Sequence, residues 1–201
     1  MTEVELRDLV AGFCELPVAN ISDNLERSVG ARGIRPYHRG GKLAGIARTV
    51  KTAPGDNAFI YRAFEQANPG DVLVVDGGGF LDRALIGEIM VSIALSRRLG
   101  GMVLDGAIRD IASISEGDFP IFARGVIHLG PYKNGPGELG GSVSIGGMIV
   151  SQGDIIVGDE DGVVAFPAET GRALLEATKA QAQREAKIID SIRAGTYTPT
   201  Y

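Results

Sequence analysis

Apolar positions near the amino end recur at helical spacing. Val4, Leu6, Leu9, Val10 and Phe13 predict a helix over residues 2–16, stopped by Pro17. In ISDNLERSV (21–29), Ser22 or Asp23 is placed to cap a short helical turn. Partial alternation predicts a strand over Lys42–Lys51, then a helix over Asn57–Gln66 and a turn at ANPGD, 67–71. VLVVD (72–76) is a continuous apolar run closed by an acid, the pattern of a strand covered on both faces. A glycine turn at 77–79 follows, and Leu81–Arg98 then sets Ala84, Leu85, Glu88, Ile89, Ser92, Ile93 and Leu95 at helical spacing. Gly100 and Gly101 end that helix, and a second strand, 102–105, completes a βαβ-like unit. Ile108–Glu116 predicts a further helix.

Beyond Phe119-Pro120 the pattern changes to short strands with glycine-rich turns: IFARGV, VSIGGMIV, DIIVGD and GVVAFP. From Ala168 to about Arg193 runs a helix rich in Ala, Glu, Lys, Arg and Gln, strong helix formers, with little apolar surface. A helix that long and polar projects from its domain or packs on a neighbouring subunit. The tail AGTYTPTY reads as loosely held. With no repeat and no linker, the reading is an α/β fold. One α/β catalytic domain spans 1–167, and a C-terminal helix and tail, 168–201, pack on a neighbouring subunit.

Composition narrows the function classes. A chain of 201 residues can bury a substantial core, and its net charge of −5, without a basic cluster, argues against a nucleic-acid surface. No apolar run approaches the roughly 18 residues that cross a bilayer, and the acidic, amphipathic start is unlike a secretory signal. The single cysteine, Cys14, excludes an internal disulfide and a cysteine metal cluster. The expectation is a cytoplasmic protein that engages neither membrane nor nucleic acid. Its 29 glycines, about twice the usual share of ~7%, are scattered and indicate many tight turns.

Candidate chemistry concentrates in four places. VVDGGGF (74–80) begins like a nucleotide fold, but its glycines are contiguous, Asp82 stands where a third fingerprint glycine belongs, and no phosphate-loop lysine follows; a tight turn is the simpler reading. Gly87 within a predicted helix costs roughly 1 kcal/mol relative to alanine, which favours a helix that begins there instead. The N–H groups of Ile89 and Met90 then stand free for a substrate carboxylate; close packing at Gly87 with a solvated Glu88 is the alternative. In GGMVLDGAIRD (100–110), Arg109 and Asp110 follow a strand end and a glycine turn, where α/β proteins place chemistry. The carboxylate can hold a hard metal while the guanidinium holds a substrate oxygen; a plain surface ion pair is the alternative. Asp105 can cap a turn at 106–109. With no histidine or cysteine nearby, an oxygen-bound ion such as Mg²⁺ suits the site better than zinc. His38 and His128 are isolated, no serine sits in a nucleophile elbow, and Cys14 falls on a core face, so covalent catalysis lacks a candidate. The acidic turn 159–161 could bind a cation, but a hairpin with Asp161-Gly162 at its tip fits better.

In order, GDVLVVDGGG, ALIGE, twenty intervening residues (89–108), DGAIRD, PGELGGSVSIGG and GDIIVGDEDGVVAFP resemble one family. It is that of the class II 4-hydroxy-4-methyl-2-oxoglutarate (4-carboxy-4-hydroxy-2-oxoadipate) aldolases, which share a fold with the regulator of ribonuclease activity A. The similarity extends from Ser22 to Arg193. It implies a layered α-β-β-α sandwich, swivelling-domain-like, with a long C-terminal helical arm. It implies that Asp110 binds Mg²⁺ or Mn²⁺, with Glu88 and Asp105 as partners through water, Glu88 standing where some members carry Asp. Arg109 is implied to bind the ketone oxygen of a 2-oxo acid that becomes an enolate. The N–H groups of Ile89 and Met90, after Gly87, are implied to hold the pyruvyl carboxylate. Family members assemble as homotrimers or dimers of trimers and borrow an acid from a neighbour's C-terminal helix, for which Glu185 is the candidate. Some members also carry an acid where this chain has Ser113. The expected chemistry is metal-dependent cleavage of a 4-hydroxy-2-oxo acid to pyruvate and a keto acid, with oxaloacetate decarboxylation as a side reaction through the same enolate. Groups on C4 would be discriminated by loops such as 30–40 and 130–140. The competing reading is a non-catalytic, protein-binding regulator on the same scaffold, a branch that lacks the metal Asp and the long helix. A quinone methyltransferase comes last, since no adenosylmethionine-binding unit is recognisable.

Overall fold

Every side chain from Val72 to Val75 is fully buried, and the strand that carries them lies near the middle of an eight-stranded mixed sheet. The computed structural model describes residues 1–25 and 30–199. Helices α1 (Glu3–Cys14) and α2 (Val18–Asn24) precede strands β1 (Arg35–Pro36) and β2 (Leu43–Thr52). Then come α3 (Ala58–Gln66), β3 (Asp71–Ile86), α4 (Glu88–Ser96), β4 (Gly101–Ile108), α5 (Ile111–Glu116) and β5 (Ile121–Val126). The carboxyl half holds β6 (Gly137–Leu139), β7 (Val143–Ile145), β8 (Met148–Val150), β9 (Ile155–Asp159), β10 (Gly162–Phe166) and α6 (Gly171–Arg193). The sheet order is β1-β5-β4-β3-β2-β9-β10, with β6 also paired to β2. Strands β2 to β5 run parallel; β1, β6, β9 and β10 are antiparallel to their neighbours.

Alternation along the strands builds two faces. Leu73, Val75, Met102 and Leu104 meet Phe64 of α3 and Met90 of α4. Val72, Val74 and Val103 point the other way and are covered by Val143, Ile145, Met148 and Val150 of the β7–β8 hairpin. At the β9–β10 end, Val157 and Phe166 pack against Phe13, Ile21, Leu174 and Leu175 of α1, α2 and α6. Full burial of each such side chain stabilises the fold by about 1.5–3 kcal/mol before entropy is counted. An α/β fold with a long C-terminal helix is what the sequence predicts, and the structure adds that the sheet is mixed.

Several predicted boundaries move. The helix expected over Leu81–Arg98 begins only at Glu88, because β3 continues through the glycines to Ile86. Ala84 and Ile86 pair with Ala107 and Ile108 of β4, and two register shifts absorb the extra residues between Asp76 and Ala84. The helix expected from Ile108 starts at Ile111, since Ile108 pairs with Ile86 and Val126. VSIGGMIV folds back on itself, with Gly146 (φ 57°) and Gly147 (φ 86°) supplying a turn that L-residues rarely adopt. Ser22 and Asp23 lie inside α2 rather than capping it; Pro17 is the N-cap, and Asp159 accepts the Val18 N–H at 2.8 Å. The rest of that stretch, 26–29, lies outside the described residues. The acidic turn is a hairpin, with Gly162 paired to Asp159.

The first turns of α6 belong to the domain itself, because Leu174, Leu175 and Thr178 are buried. Its last turns are exposed, Ile188, Ile189 and Ile192 included. Cys14 is half-buried, and burial pushes its thiol pKa up, away from the reactive thiolate. Among the described residues, no helix is long and apolar enough to cross a membrane.

Candidate active site

Strands β3 and β4 end together at the paired residues Ile86 and Ile108. The Arg109 N–H then donates to the Ile86 carbonyl at 3.0 Å, which fixes the chain just past the strand end. Carboxyl ends of adjacent parallel strands are where open α/β sheets leave a crevice. Gly87, in extended backbone, is the N-cap of α4, and it supplies no side chain to the first N–H groups of that helix. Asp110 supplies one instead. Its backbone is left-handed (φ 58°, ψ 41°), a conformation that costs a non-glycine residue about 1 kcal/mol or more. That turn swings the carboxylate away from α5, whose N-cap it occupies, so that Oδ2 accepts the Glu88 N–H at 2.9 Å. A carboxylate at the amino end of α4 also meets the helix dipole favourably. A β-carbon on Gly87 would overlap that carboxylate, so any larger residue there must displace it.

Arg109 is held but not spent. Its Nε lies 3.8 Å from Asp110 Oδ2, too far for a hydrogen bond, and is buried without a partner among the described residues. The side chains of the pair are 40% and 41% exposed, so both remain open to a solute. They line a cavity of about 80 Å³ with Asn57, Gly87, Ile89 and Lys133. At roughly 10–15 Å³ per water, that is room for a head group of several atoms. Arg109 and Lys133 against Asp110 leave the lining suited to an anion.

Of the residues singled out from sequence, Gly87, Ile89, Met90, Arg109 and Asp110 all line this cavity. One detail changes: the Met90 N–H donates to the Gly87 carbonyl at 3.0 Å, whereas the Ile89 N–H has no partner among the described residues. Glu88 touches Asp110 through its backbone and lines the neighbouring groove between α4 and α5. Asp105 is not brought to the site. β4 runs unbroken from Gly101 to Ile108, so there is no turn at 106–109 to cap. The Asp105 carboxylate pairs with Arg124 and accepts the Gly146 N–H at 2.7 Å, tying β4 to the β7–β8 hairpin. The Asp105 hydrogen bond raises the Arg124 pKa against the opposing effect of burial. Glu185 accepts from Gln181 at 2.8 Å and from Asn20 at 2.6 Å, bonds that lower its pKa and tie α6 to α2.

Sequence reading missed Asn57 and Lys133. Asn57 looks like an ordinary helix start, yet its side chain makes no cap bond. Asp56, one residue earlier, holds the junction: Oδ1 accepts the Ala58 N–H at 2.8 Å, and Oδ2 accepts those of Asn134 and Gly135 at 2.8 and 2.7 Å. Burial pushes the Asp56 carboxyl up, but these three N–H groups outweigh it and hold its pKa below the usual range. Asp56 thereby fixes both Asn57 and the loop carrying Lys133. That loop lies within 130–140, one of the two stretches expected to discriminate groups on C4; no residue of 30–40 lines the cavity.

A divalent ion can be tested against the donors present. Among the described residues no three His, Cys, Asp or Glu side chains converge. Asp110 commits Oδ2 to the Glu88 N–H and keeps Oδ1 uncommitted. One carboxylate oxygen at a crevice fits a hard ion that retains most of its water, as Mg²⁺ and Mn²⁺ do.

The profile of the RraA-like family, described as Aldolase/RraA, matches residues 18–165, and the chain belongs to that family. A protein of Halalkalibacterium halodurans, named provisionally as a 4-hydroxy-4-methyl-2-oxoglutarate aldolase, is 37% identical over 199 residues, covering 96% of this chain and 94% of its own. A solved structure from Pseudomonas syringae pv. tomato superposes with a TM-score of 0.86 at 27% identity, over 95% of this chain and 94% of that one. The RNA-processing inhibitor RraA of Thermus thermophilus gives a TM-score of 0.69 at 28% identity, over 75% of this chain and 92% of that one.

Proposed function

We propose that this protein is a divalent-metal-dependent class II aldolase. It cleaves 4-hydroxy-2-oxo acids of the 4-hydroxy-4-methyl-2-oxoglutarate type to pyruvate and a keto acid, with oxaloacetate decarboxylation as a side activity. The observation that carries the reading is the unpartnered, buried Arg109 Nε beside an Asp110 carboxylate with one free oxygen, at the mouth of one cavity. The name of the Halalkalibacterium relative points the same way.

Retro-aldol cleavage breaks the C3–C4 bond, leaves its electron pair on an enolate and releases the C4 hydroxyl proton to water, and a proton from water then adds to C3 to give pyruvate. Arg109 donates to the C2 oxygen where that charge collects, an interaction stronger in the transition state than in the ketone. The Ile89 N–H, at the positive end of α4, holds the C1 carboxylate. Lys133 lies on the same cavity and meets a second carboxylate on C4. Asp110 holds the ion, Mg²⁺ or Mn²⁺, which supplies Lewis acidity at the ketone oxygen when bound. The exposed Ile188, Ile189 and Ile192 suit α6 to pack on a neighbouring subunit in a homotrimer. Glu185 serves a neighbour's site there only by leaving Asn20 and Gln181.

The test is pyruvate release from oxaloacetate and from 4-hydroxy-4-methyl-2-oxoglutarate, with Mg²⁺ and with EDTA. Turnover is expected with the ion alone, and Arg109→Ala and Asp110→Ala are each expected to lose about a hundredfold or more. Absence of turnover in every condition would instead support the non-catalytic regulator reading, for which the RraA structural neighbour is the precedent.

A further inference from the structure

We infer that Asn57 reads the 4-hydroxyl group of the substrate, so that it serves aldol substrates and is silent toward oxaloacetate. The inference rests on the aldolase reading and deepens it. Two buried side-chain polar atoms lack a partner among the described residues: Arg109 Nε, a donor, and Asn57 Oδ1, an acceptor. Both residues line the same cavity. Asn57 is only 2% exposed, so its oxygen is shielded from bulk solvent.

The orientation of the amide is fixed by its surroundings. Asn57 Nδ2 donates to the Leu85 carbonyl at 3.0 Å and contacts Met90 Sδ at 3.1 Å. A carbonyl can only accept, so the nitrogen faces Leu85 and the oxygen faces away. Nothing local claims that oxygen. The side chain caps nothing, since the Ile60 N–H goes to the Asn57 backbone carbonyl at 3.1 Å, and the Asn57 backbone N–H is taken by the Tyr132 carbonyl at 3.0 Å. An amide freed from capping, locked by its nitrogen and left with a bare acceptor is arranged for a ligand that donates.

A ligand that satisfies both orphans carries an acceptor for Arg109 and a donor for Asn57. A 4-hydroxy-2-oxo acid has both, as a ketone oxygen and a hydroxyl. Oxaloacetate in its keto form and pyruvate offer acceptors only. Asn57 is therefore a specificity-determining residue that orients the hydroxyl and takes no part in moving its proton.

The experiment compares Asn57→Leu and Asn57→Ser with wild type in the Mg²⁺-loaded enzyme, measuring kcat/KM for both substrates on the same preparation. The ratio cancels any misfolded fraction. Asn57→Leu is expected to lower kcat/KM for 4-hydroxy-4-methyl-2-oxoglutarate about tenfold or more relative to oxaloacetate, while Asn57→Ser, which keeps an acceptor, loses less. Wild type is also expected to bind 4-hydroxy-2-oxoglutarate more tightly than 2-oxoglutarate, as competitors of oxaloacetate turnover. That comparison stands even if both variants fail to fold. An unchanged ratio, a parallel loss on both substrates, or equal binding of the two competitors overturns the assignment. Wild type inactive on both substrates sinks the aldolase reading and this inference with it.

Discussion

At the scale of single residues, Gly87 and Asp110 form one device. The glycine makes room for the carboxylate, and the carboxylate accepts the first free N–H of α4. Gly87→Ala is therefore expected to push Asp110 aside, lowering both stability and turnover, with a loss of about 1–3 kcal/mol seen as a drop of several degrees in Tm. Asp110→Gly tests the opposite balance. It relieves a left-handed backbone worth about 1 kcal/mol and surrenders a helix-capping bond worth about as much. Its melting temperature should stay within a few degrees of wild type while activity disappears. Asp56 gives a pH signature. Its folded pKa is depressed, so its contribution is complete above the unfolded value of about 3.9 and drains away as pH falls through the folded one. Asp56→Asn should melt below wild type at pH 7, and the gap should narrow below about pH 4. A gap that widened in acid would mean that the three N–H groups do not favour the charged form.

At the scale of elements, the same residues explain what could be read from the chain and what could not. Periodicity marked α1 and α3, a composition of strong helix formers marked α6, and the unbroken run Val72–Val75 marked a buried strand. The β3–α4 junction was harder, since Ala84, Leu85 and Ile86 fit a helical stripe as well as a strand end. Only their pairing with β4 decides it, and that partner lies more than twenty residues away. Gly87 carried the correct signal through its cost inside a helix. Arg109-Asp110 was legible because charge beside a strand end is unusual. Asn57 was not, since an Asn opening a helix is ordinary and only the cavity shows its oxygen unclaimed. Asp105 is the reverse case. It looks like site chemistry, but it fastens β4, Arg124 of β5 and the turn of the β7–β8 hairpin. Asp105→Ala should cost about 3–5 kcal/mol by stranding Arg124, and the folded fraction should keep its kcat. A selective loss of kcat at unchanged stability would return Asp105 to the site.

At the scale of the whole molecule, one sheet edge of parallel strands gathers residues from three separate stretches, 57, 87–90 and 109–110, while the 131–133 loop closes over them. Beyond Lys187, α6 exposes Ile188, Ile189 and Ile192, and its buried residues end at Thr178. Truncation after Lys187 should leave the melting temperature near that of the full chain and reduce the assembly measured by light scattering. An unchanged mass would remove α6 from the subunit interface. The bond from the Glu88 backbone to Asp110 has an experimental use of its own. An ion that draws on the second oxygen of that carboxylate must alter the first, and the Glu88 amide proton sits on it. In an NMR titration with Mg²⁺ and no substrate, its resonance should shift early, a native reporter of ion loading.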